Sequence, residues 1–558
     1  MSMGAGFRHS HFPLCLPQFI RHARRTVASQ SQSSARPPTA PSVRNPHLRR
    51  KSFQKPALPL LGGSDSSLSE SSQELVKTDR GEITSVEAED DDGSFTAFRG
   101  IMARAGVTLP LGLGNHFKPD PFLRLQITAE NQDEVLAATM TPLAALSYPD
   151  QLRFKWERNR QLLRNFSRSV EKKVAVELDE NGLICPLEPV VPSPVLTHFR
   201  NKDELNVSSS VDGYKGAVGF FIGRSRDNNI ICVRPKSLVN MKEIHKHLGR
   251  RFEEFIESSQ YGGCHLEPTG FVGHWKGITA RSNRQGDLMA VVAMHPQTLS
   301  LEELTAEKKR LSEFFSSGPG KDCNLKSLYF QACPHSQCSP IQYPMELLFG
   351  ADGIIESIGR MKFRISPSAF FQINTDAAEQ LYLKIAELTK PTPDTILLDV
   401  CCGTGTIGLF MASKVDQVIG IEKNVLAIAD AEHNMGLNNV PNATYFCDTA
   451  EKAIKRILKD KQYNYSTVSA VVNPGRSGLD LKVINALREA PQVNRVVYVS
   501  CLPVANAMRN LIDLCLPTSK HLPGEPFYPT RAIPVDMFPN TDHCELLILF
   551  ERNRLFFA

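Results

Sequence analysis

From residue 363 onward the chain alternates apolar runs with amphipathic stretches. The runs "TILLDV", "VDQVIGIE", "ATYFC", "TVSAVVN", "RVVYVS" and "HCELLILF" are rich in β-branched and aromatic residues, and helical periodicity fills most of the intervals. Near-continuous apolar runs predict strands buried on both faces, and strands alternating with helices predict an α/β domain, here 361–558, with a doubly wound parallel sheet. Between Val195 and Gln297 the pattern changes to short alternating runs, "LNVSSSV", "AVGFFIGRS", "NIICVRP" and "LMAVVAMH", with one helix near Met241 to Ser258. These belong to an α+β accessory module placed at 95–360. Ahead of them, "TPLAALSYPDQLRFKWERNRQLLRNFSRSVEK" predicts an amphipathic helix carrying Arg153, Lys155, Arg158, Arg160 and Arg164, a charge run expected to be solvated.

The first sixty residues have no such patterning. They carry ten Lys/Arg, and no acid precedes Asp65. An Arg-rich, Ser-rich, acid-free segment reads as a mitochondrial transit peptide, placing the mature protein in the matrix; the competing reading is a basic disordered tail. Residues 61–94 are Ser-rich and acidic and predict a disordered linker. The formal charge of +5 falls to about −5 once the leader is removed, so RNA binding would need a local basic patch. Arg200 and Lys202 in "HFRNKDEL" would share one face of a strand, either holding phosphates or guarding a sheet edge.

No run approaches the roughly eighteen apolar residues of a membrane span. The thirteen cysteines are expected to be reduced thiols. "CPHSQC", with Cys333, His335 and Cys338 and with Cys323 nearby, is a poor match to metal-ligand spacing, and no metal is expected.

Chemistry concentrates where the C-terminal strands end. "TILLDV" runs into "CCGTGTIGL", whose Gly403 and Gly405 allow close backbone approach to a ligand before a helix opens at about Thr406. Glu422 ends the next strand, where it can accept from both hydroxyls of a ribose, and Asp448 follows the third, where an adenine amino group would lie. The turn lacks the full spacing of a dinucleotide fingerprint and the Lys-Ser/Thr of a P-loop, which favours S-adenosylmethionine, a ligand without phosphates. Asn473 ends the fourth strand in "NPGRSGL", with Arg476 in its turn. Cys501 follows the fifth strand and Glu545 begins the last. A cysteine and a carboxylate at one crevice suggest covalent methylation of an unreactive carbon, with Cys401, Cys402, Cys447 and Cys515 as rival nucleophiles.

The ordered set "SPSAFFQIN", "LLDVCCGTGTIGL", "VSCLP" and "FPNTDHCEL" resembles the RNA (uracil-5-)-methyltransferases over about Tyr148 to Phe550. The resemblance implies a Rossmann-like S-adenosylmethionine-dependent methyltransferase domain behind an RNA-binding module. It assigns Cys501 as nucleophile and Glu545 as general base, and places Gln372, Glu422 and Asn473 at the donor. It implies a flipped-out uridine in a tRNA T loop as target, with a ribosomal RNA loop as the family's other target type. Mitochondrial tRNA and rRNA are thus the expected partners. Two departures stand out: the family carries Asp at Asn473 and Asn at Leu502, so an acceptor charge and a polar neighbour of the nucleophile are lost. A catalytically weak tRNA-binding or chaperone protein on the same fold, and a small-molecule methyltransferase, are the alternatives.

Overall fold

A computed structural model describes residues 127–552 apart from 224–229, 268–269, 336–337, 460–466, 502 and 504–505. The basic leader, the acidic linker and Leu502 lie outside the described residues.

The accessory region is built from β1 (Lys202–Ser208), β2 (Ala217–Ile222), β3 (Ile231–Val233), β4 (His265–Glu267), β5 (Gly270–Val272), β6 (Trp275–Ser282), β7 (Leu288–Met294), β8 (Leu325–Ala332) and β9 (Glu346–Gly350). Seven of these form a sheet in the order β3-β2-β1-β6-β7-β8-β9, and β4 pairs β5 separately. Every pair in the sheet is antiparallel except β7–β8, whose parallel crossover is made by helix Leu301–Ser316. That helix starts with a capping box: Ser300 accepts from the Glu303 amide while the Glu303 side chain accepts from the Ser300 amide.

Alternation along the strands divides the sheet's two faces. Leu288 and Val292 of β7 join Phe252, Phe255 and Phe315 of the covering helices in one core. Met289 and Val291, one step out of phase, join a hairpin of β10 (Ile354–Ile358) and β11 (Met361–Ile365) in a second core, which extends into the C-terminal domain. The two parts of the chain therefore share buried apolar surface.

The C-terminal sheet contains β12 (Ile396–Val400), β13 (Gln417–Glu422), β14 (Ala443–Cys447), β15 (Val468–Val472), β16 (Val493–Ser500), β17 (Tyr528–Val535) and β18 (Glu545–Glu551). Its order is β14-β13-β12-β15-β16-β18-β17. The first five run parallel, but β18 inserts antiparallel between β16 and β17, so the expected parallel sheet is mixed. β17 had no sequence signal because Pro529 and Pro534 interrupt it; as an edge strand it can lack those donors. β16 and β18 are in register from Arg495↔Glu551 to Ser500↔Leu546, and Arg495 Nε lies 2.8 Å from Glu551 Oε1.

Helices cover both faces of this sheet. Helix Tyr148–Glu171 contributes Leu163, Phe166 and Val170 to one side, although it lies two hundred residues upstream. Its basic residues are not a solvated face. Lys155 is wholly buried against Asp536 at 2.5 Å, and Arg158 pairs with Asp542; Arg153 is the exposed one. A buried ammonium needs such a partner to offset its desolvation.

Two other expectations change. β1 lies between β2 and β6, so its charges do not guard an edge. Arg200 precedes the strand and donates to Asp203 at 2.5 Å, while Lys202 pairs with Glu204; both charges are neutralised within the protein. Cys333 and Cys338 form a disulfide, with Cα atoms 5.7 Å apart, so these two are not the reduced thiols expected. Cys323 is buried elsewhere, grouped with His247 and Asp322, and Asp322 is already held by Arg251 at 3.0 and 3.1 Å.

Candidate active site

Strand order reverses between β12 and β15, each of which has its sequence neighbour on its outer side. The carboxyl ends of two parallel strands then part company and leave a crevice. A cavity of about 610 Å³ opens there. Gln372, Gly403, Thr406, Glu422, Asp448 and Asn473 all line it, so six of the seven residues predicted for the donor converge.

Local geometry explains each placement. Leaving β12, the chain turns through Cys401, Gly403 and Gly405, all at positive φ. A Cβ on Gly403 would meet nothing within 4 Å, so the bare backbone faces open space. Gly405, the seventh predicted residue, lies behind the cavity: a Cβ there would come within 2.5 Å of the Tyr445 hydroxyl. Its need for glycine is one of packing and of φ +76°. Glu422 Oε1 accepts from the Asn424 amide at 2.9 Å, which fixes the carboxylate at the end of β13. Asp448 Oδ1 accepts from the Thr449 amide at 2.8 Å. Asn473 follows β15, its amide donating to Val400 O at 3.3 Å.

Gln372 is set by a seam with the accessory region. Asn201 Nδ2 donates to Gln372 O at 2.8 Å and its amide donates to Ile373 O at 2.8 Å. Asn374 then caps helix Thr375–Thr389 through Ala377 N, and its Nδ2 reaches Ser193 Oγ and Met537 O. The exposed Phe370 and the buried Tyr382 also line the cavity and had not been singled out. Tyr382 donates to or accepts from Thr406 Oγ1 at 3.0 Å, and the Asp399 and Glu545 carboxylates add to the burial that raises its pKa.

Asp399 is another residue sequence reading missed. It sits wholly buried in β12, accepts from the Gly408 amide at 2.9 Å and leaves Oδ1 unpartnered; burial pushes its carboxyl up to about 7. An acid inside the run "LLDV" was the available signal, since a lone carboxylate costs too much to bury without a task.

Cys501 and Glu545 do not themselves line this cavity but stand within electrostatic reach of its wall: Glu545 acts on the lining residue Tyr382, and Cys501 interacts with Arg476, whose neighbours Gly475 and Ser477 line it. Ser500 pairs with Leu546, so the next residues out on β16 and β18 are brought together at one end of the ladder. Glu545 is buried, and burial pushes its carboxyl up to about 7. Cys501 is half-buried. Burial raises its thiol pKa, the Glu545 charge raises it further, and Arg476 opposes both through its charge and a hydrogen bond. The rival cysteines are worse placed. Burial takes Cys401 to about 12 and raises Cys402 well above its ordinary value; Cys515 is deep in the core; Cys447 is exposed, but partial burial and then the Glu422, Asp448 and Glu432 charges raise its thiol pKa.

The residues at the crevice suit S-adenosylmethionine. Glu422 offers two acceptor oxygens, Gly403 an open backbone cradle, and the unpartnered Thr449 Oγ1 a hydroxyl at the cavity wall. A mixed sheet reversing at a donor-sized crevice, with the last strands antiparallel, is the architecture of S-adenosylmethionine-dependent methyltransferases.

Comparison with known proteins narrows that class. The sequence profile described as tRNA (Uracil-5-)-methyltransferase matches residues 354–553. The human tRNA (uracil-5-)-methyltransferase homolog B is 43% identical over 426 residues, covering 75% of this chain and 84% of its own. Homolog A from Mus musculus is 40% identical, covering 75% and 69%. The crystal structure of Pyrococcus abyssi tRNA (uracil-54, C5)-methyltransferase in complex with S-adenosyl-L-homocysteine superposes with a TM-score of 0.51 at 22% identity, over 73% of this chain and 84% of that one, a likeness of fold. The chain belongs to the tRNA (uracil-5-)-methyltransferase family, whose members are S-adenosylmethionine-dependent enzymes.

Proposed function

We propose that this chain methylates C5 of a loop uridine in tRNA, through a covalent Cys501 adduct at C6, in the mitochondrial matrix. The observation that carries the reading is the convergence of Cys501, Glu545 and Arg476 beside the donor cavity. Glu422, Gly403, Thr449 and Asn473 would hold S-adenosylmethionine, which when bound supplies an electrophilic methyl group. Uracil C5 is a weak nucleophile. Addition of the Cys501 thiolate to C6 breaks the C5–C6 π bond and moves its electron pair towards C5 and O4. Arg476 favours the thiolate needed for that addition. C5, made nucleophilic by that addition, would bond to the methyl carbon as the carbon's bond to the sulfonium breaks, its electron pair staying on sulfur as a neutral thioether. Glu545 then accepts the C5 proton; the C–H electron pair re-forms the double bond and expels the thiolate. With its pKa near 7, Glu545 is ionised in part at neutral pH and still basic enough to take the proton.

The T loop and the matrix location are supported by the family resemblance and the acid-free leader. A C5 atom inside a stacked helix is out of reach, so a splayed loop nucleotide is the fitting substrate. The test is transfer of labelled methyl to unmodified mitochondrial tRNA and small-subunit rRNA, using protein without residues 1–60, beside Cys501→Ala. Label recovered as 5-methyluridine and lost in the variant is the expected result. Protein that binds S-adenosylmethionine and labels neither RNA would overturn it and favour the RNA-chaperone reading. Fusing residues 1–60 to a reporter tests the location.

A further inference from the structure

Glu545 is reached through a turn, residues 536–544, whose own hydrogen bonds are short-range. Within it, Thr541 Oγ1 donates to Phe538 O and Phe538 N donates to Asp536 Oδ1, Thr541 N also donating to Phe538 O and His543 N to Thr541 Oγ1. Most of its other anchors come from helix Tyr148–Glu171, almost four hundred residues away in sequence and upstream of the segment the family profile matches. Lys155 Nζ, wholly buried, lies 2.5 Å from Asp536 Oδ1 and 2.9 Å from Phe538 O. Tyr148 Oη donates to Asp536 Oδ2 at 3.0 Å. Gln151 grips Asn540 in both directions, accepting from its amide at 2.8 Å and donating to its Oδ1 at 3.1 Å. Arg158 donates to Asp542 O at 2.8 Å and pairs with the Asp542 carboxylate. Residues 151, 155 and 158 recur at helical spacing, so one helix face reads the turn from its beginning to its end.

That face holds the turn where the chemistry needs it. His543, inside the turn, feels the charges of Arg158, Arg476 and Lys155, so the turn lies within electrostatic reach both of the helix and of the guanidinium that hydrogen-bonds Cys501. Asn540 adopts φ 68°, a left-handed conformation that asparagine tolerates, and its side chain is held there by Gln151 Nε2 and by Leu196 O.

We infer that Lys155, with Gln151 and Arg158, is a positioning residue: the helix clamps the turn so that Glu545 stands at the C5 proton of the adduct. The inference rests on the covalent mechanism proposed for Cys501. Burial alone accounts for the raised Glu545 pKa, so the clamp acts on the carboxylate's place and leaves its charge alone.

A loosened base has a signature that a loosened fold lacks. If proton removal slows while addition to C6 continues, methylated RNA stays attached to Cys501. The experiment quenches wild type, Lys155→Met, Arg158→Ala and Glu545→Gln in denaturant during turnover on tRNA, and measures both free 5-methyluridine and RNA-bound protein. Glu545→Gln is expected to accumulate adduct as turnover collapses. Lys155→Met should do the same with turnover down about 100-fold, the scale of a misplacement near 1 Å, and Arg158→Ala about tenfold less severely, both with KM for S-adenosylmethionine within about twofold of wild type. Lys155→Met strands Asp536 as a buried charge and is at risk of unfolding; Arg158, partly exposed, then carries the test. Adduct and turnover falling together in folded Arg158→Ala, or wild-type turnover in it, would overturn the inference. Wild-type methylation with no adduct in Glu545→Gln would instead overturn the covalent mechanism, and this inference with it.

Discussion

The two seven-stranded sheets use their polar groups in opposite ways. In the C-terminal sheet, the candidate functional side chains sit where strands stop: Glu422, Asn473 and Cys501 lie at or just past carboxyl ends, and their neighbours leave a cavity open. In the accessory sheet, the polar groups are consumed internally. Asp203 lies 2.7 Å from His245 Nδ1 and accepts from Arg200, while Ser282 Oγ lies 2.8 Å from His245 Nε2 and Arg234 is held by Glu253. Asp203, His245 and Ser282 resemble a hydrolytic triad in their connectivity, yet each is almost wholly buried and no substrate could reach them. Connectivity does not make a site; an open face beside reactive groups does.

That contrast can be broken most sharply at Cys501. Cys501→Ala should abolish methyl transfer while leaving S-adenosylmethionine binding intact by calorimetry, and Glu545→Gln should lower the rate about 10²- to 10⁴-fold. Glu422→Ala should next weaken S-adenosylmethionine binding by about 10- to 100-fold, from the loss of charge-assisted hydrogen bonds. On the accessory side the effect should appear in stability. His245→Ala strands Asp203 and should cost about 2–4 kcal/mol in denaturant unfolding, with the dissociation constant for S-adenosylmethionine unchanged. Smaller still, Lys202→Ala should change tRNA affinity less than about twofold and leave its salt dependence alone, because Glu204 already occupies that charge.

pH separates the two functions of Glu545. Its folded pKa stands near 7 against an ordinary 4.5, so the single-turnover rate should rise through pH 7 as the base ionises. Stability runs the other way. A carboxyl raised on folding favours the fold fully below its ordinary pKa, and that contribution is lost as pH rises through 7; Asp399, also near 7, behaves likewise. Glu545→Gln should therefore gain melting temperature over wild type, and the gain should widen from pH 5 to pH 8.

Strand ends were legible in the sequence because a buried parallel strand is a continuous apolar run, and the first residues past its carboxyl end must face the crevice. That logic placed Glu422, Asn473 and Cys501 at strand ends; the choice of Cys501 over the rival cysteines, and of Glu545, which begins its strand, came from the family resemblance. It missed β17, where proline breaks the run, and it left β6 and β8 unread because "WKGITARS" and "LKSLYFQA" interleave polar residues. It misjudged Lys155 for a different reason. A lysine on an amphipathic helix reads as solvated, and the acid that permits its burial is 381 positions away. Long-range charge pairing leaves no local trace. Gln372 was legible through its motif, but the Asn201 seam that holds its backbone was not.

The pairing of β16 with β18 makes the enzyme an inspector of its own folding. Leu546 to Phe550 is buried on both faces, so apolar burial scarcely distinguishes the native alignment from one shifted by a residue. What distinguishes them is the far end of the ladder, where Arg495 meets Glu551, about 20 Å from Cys501 at roughly 3.4 Å per residue. A chain misaligned by one residue would bury much the same hydrocarbon but turn the carboxylate away from the thiol. It would pass every test of compactness and fail only the chemical one, so catalytic output grades the accuracy of assembly more finely than solubility can.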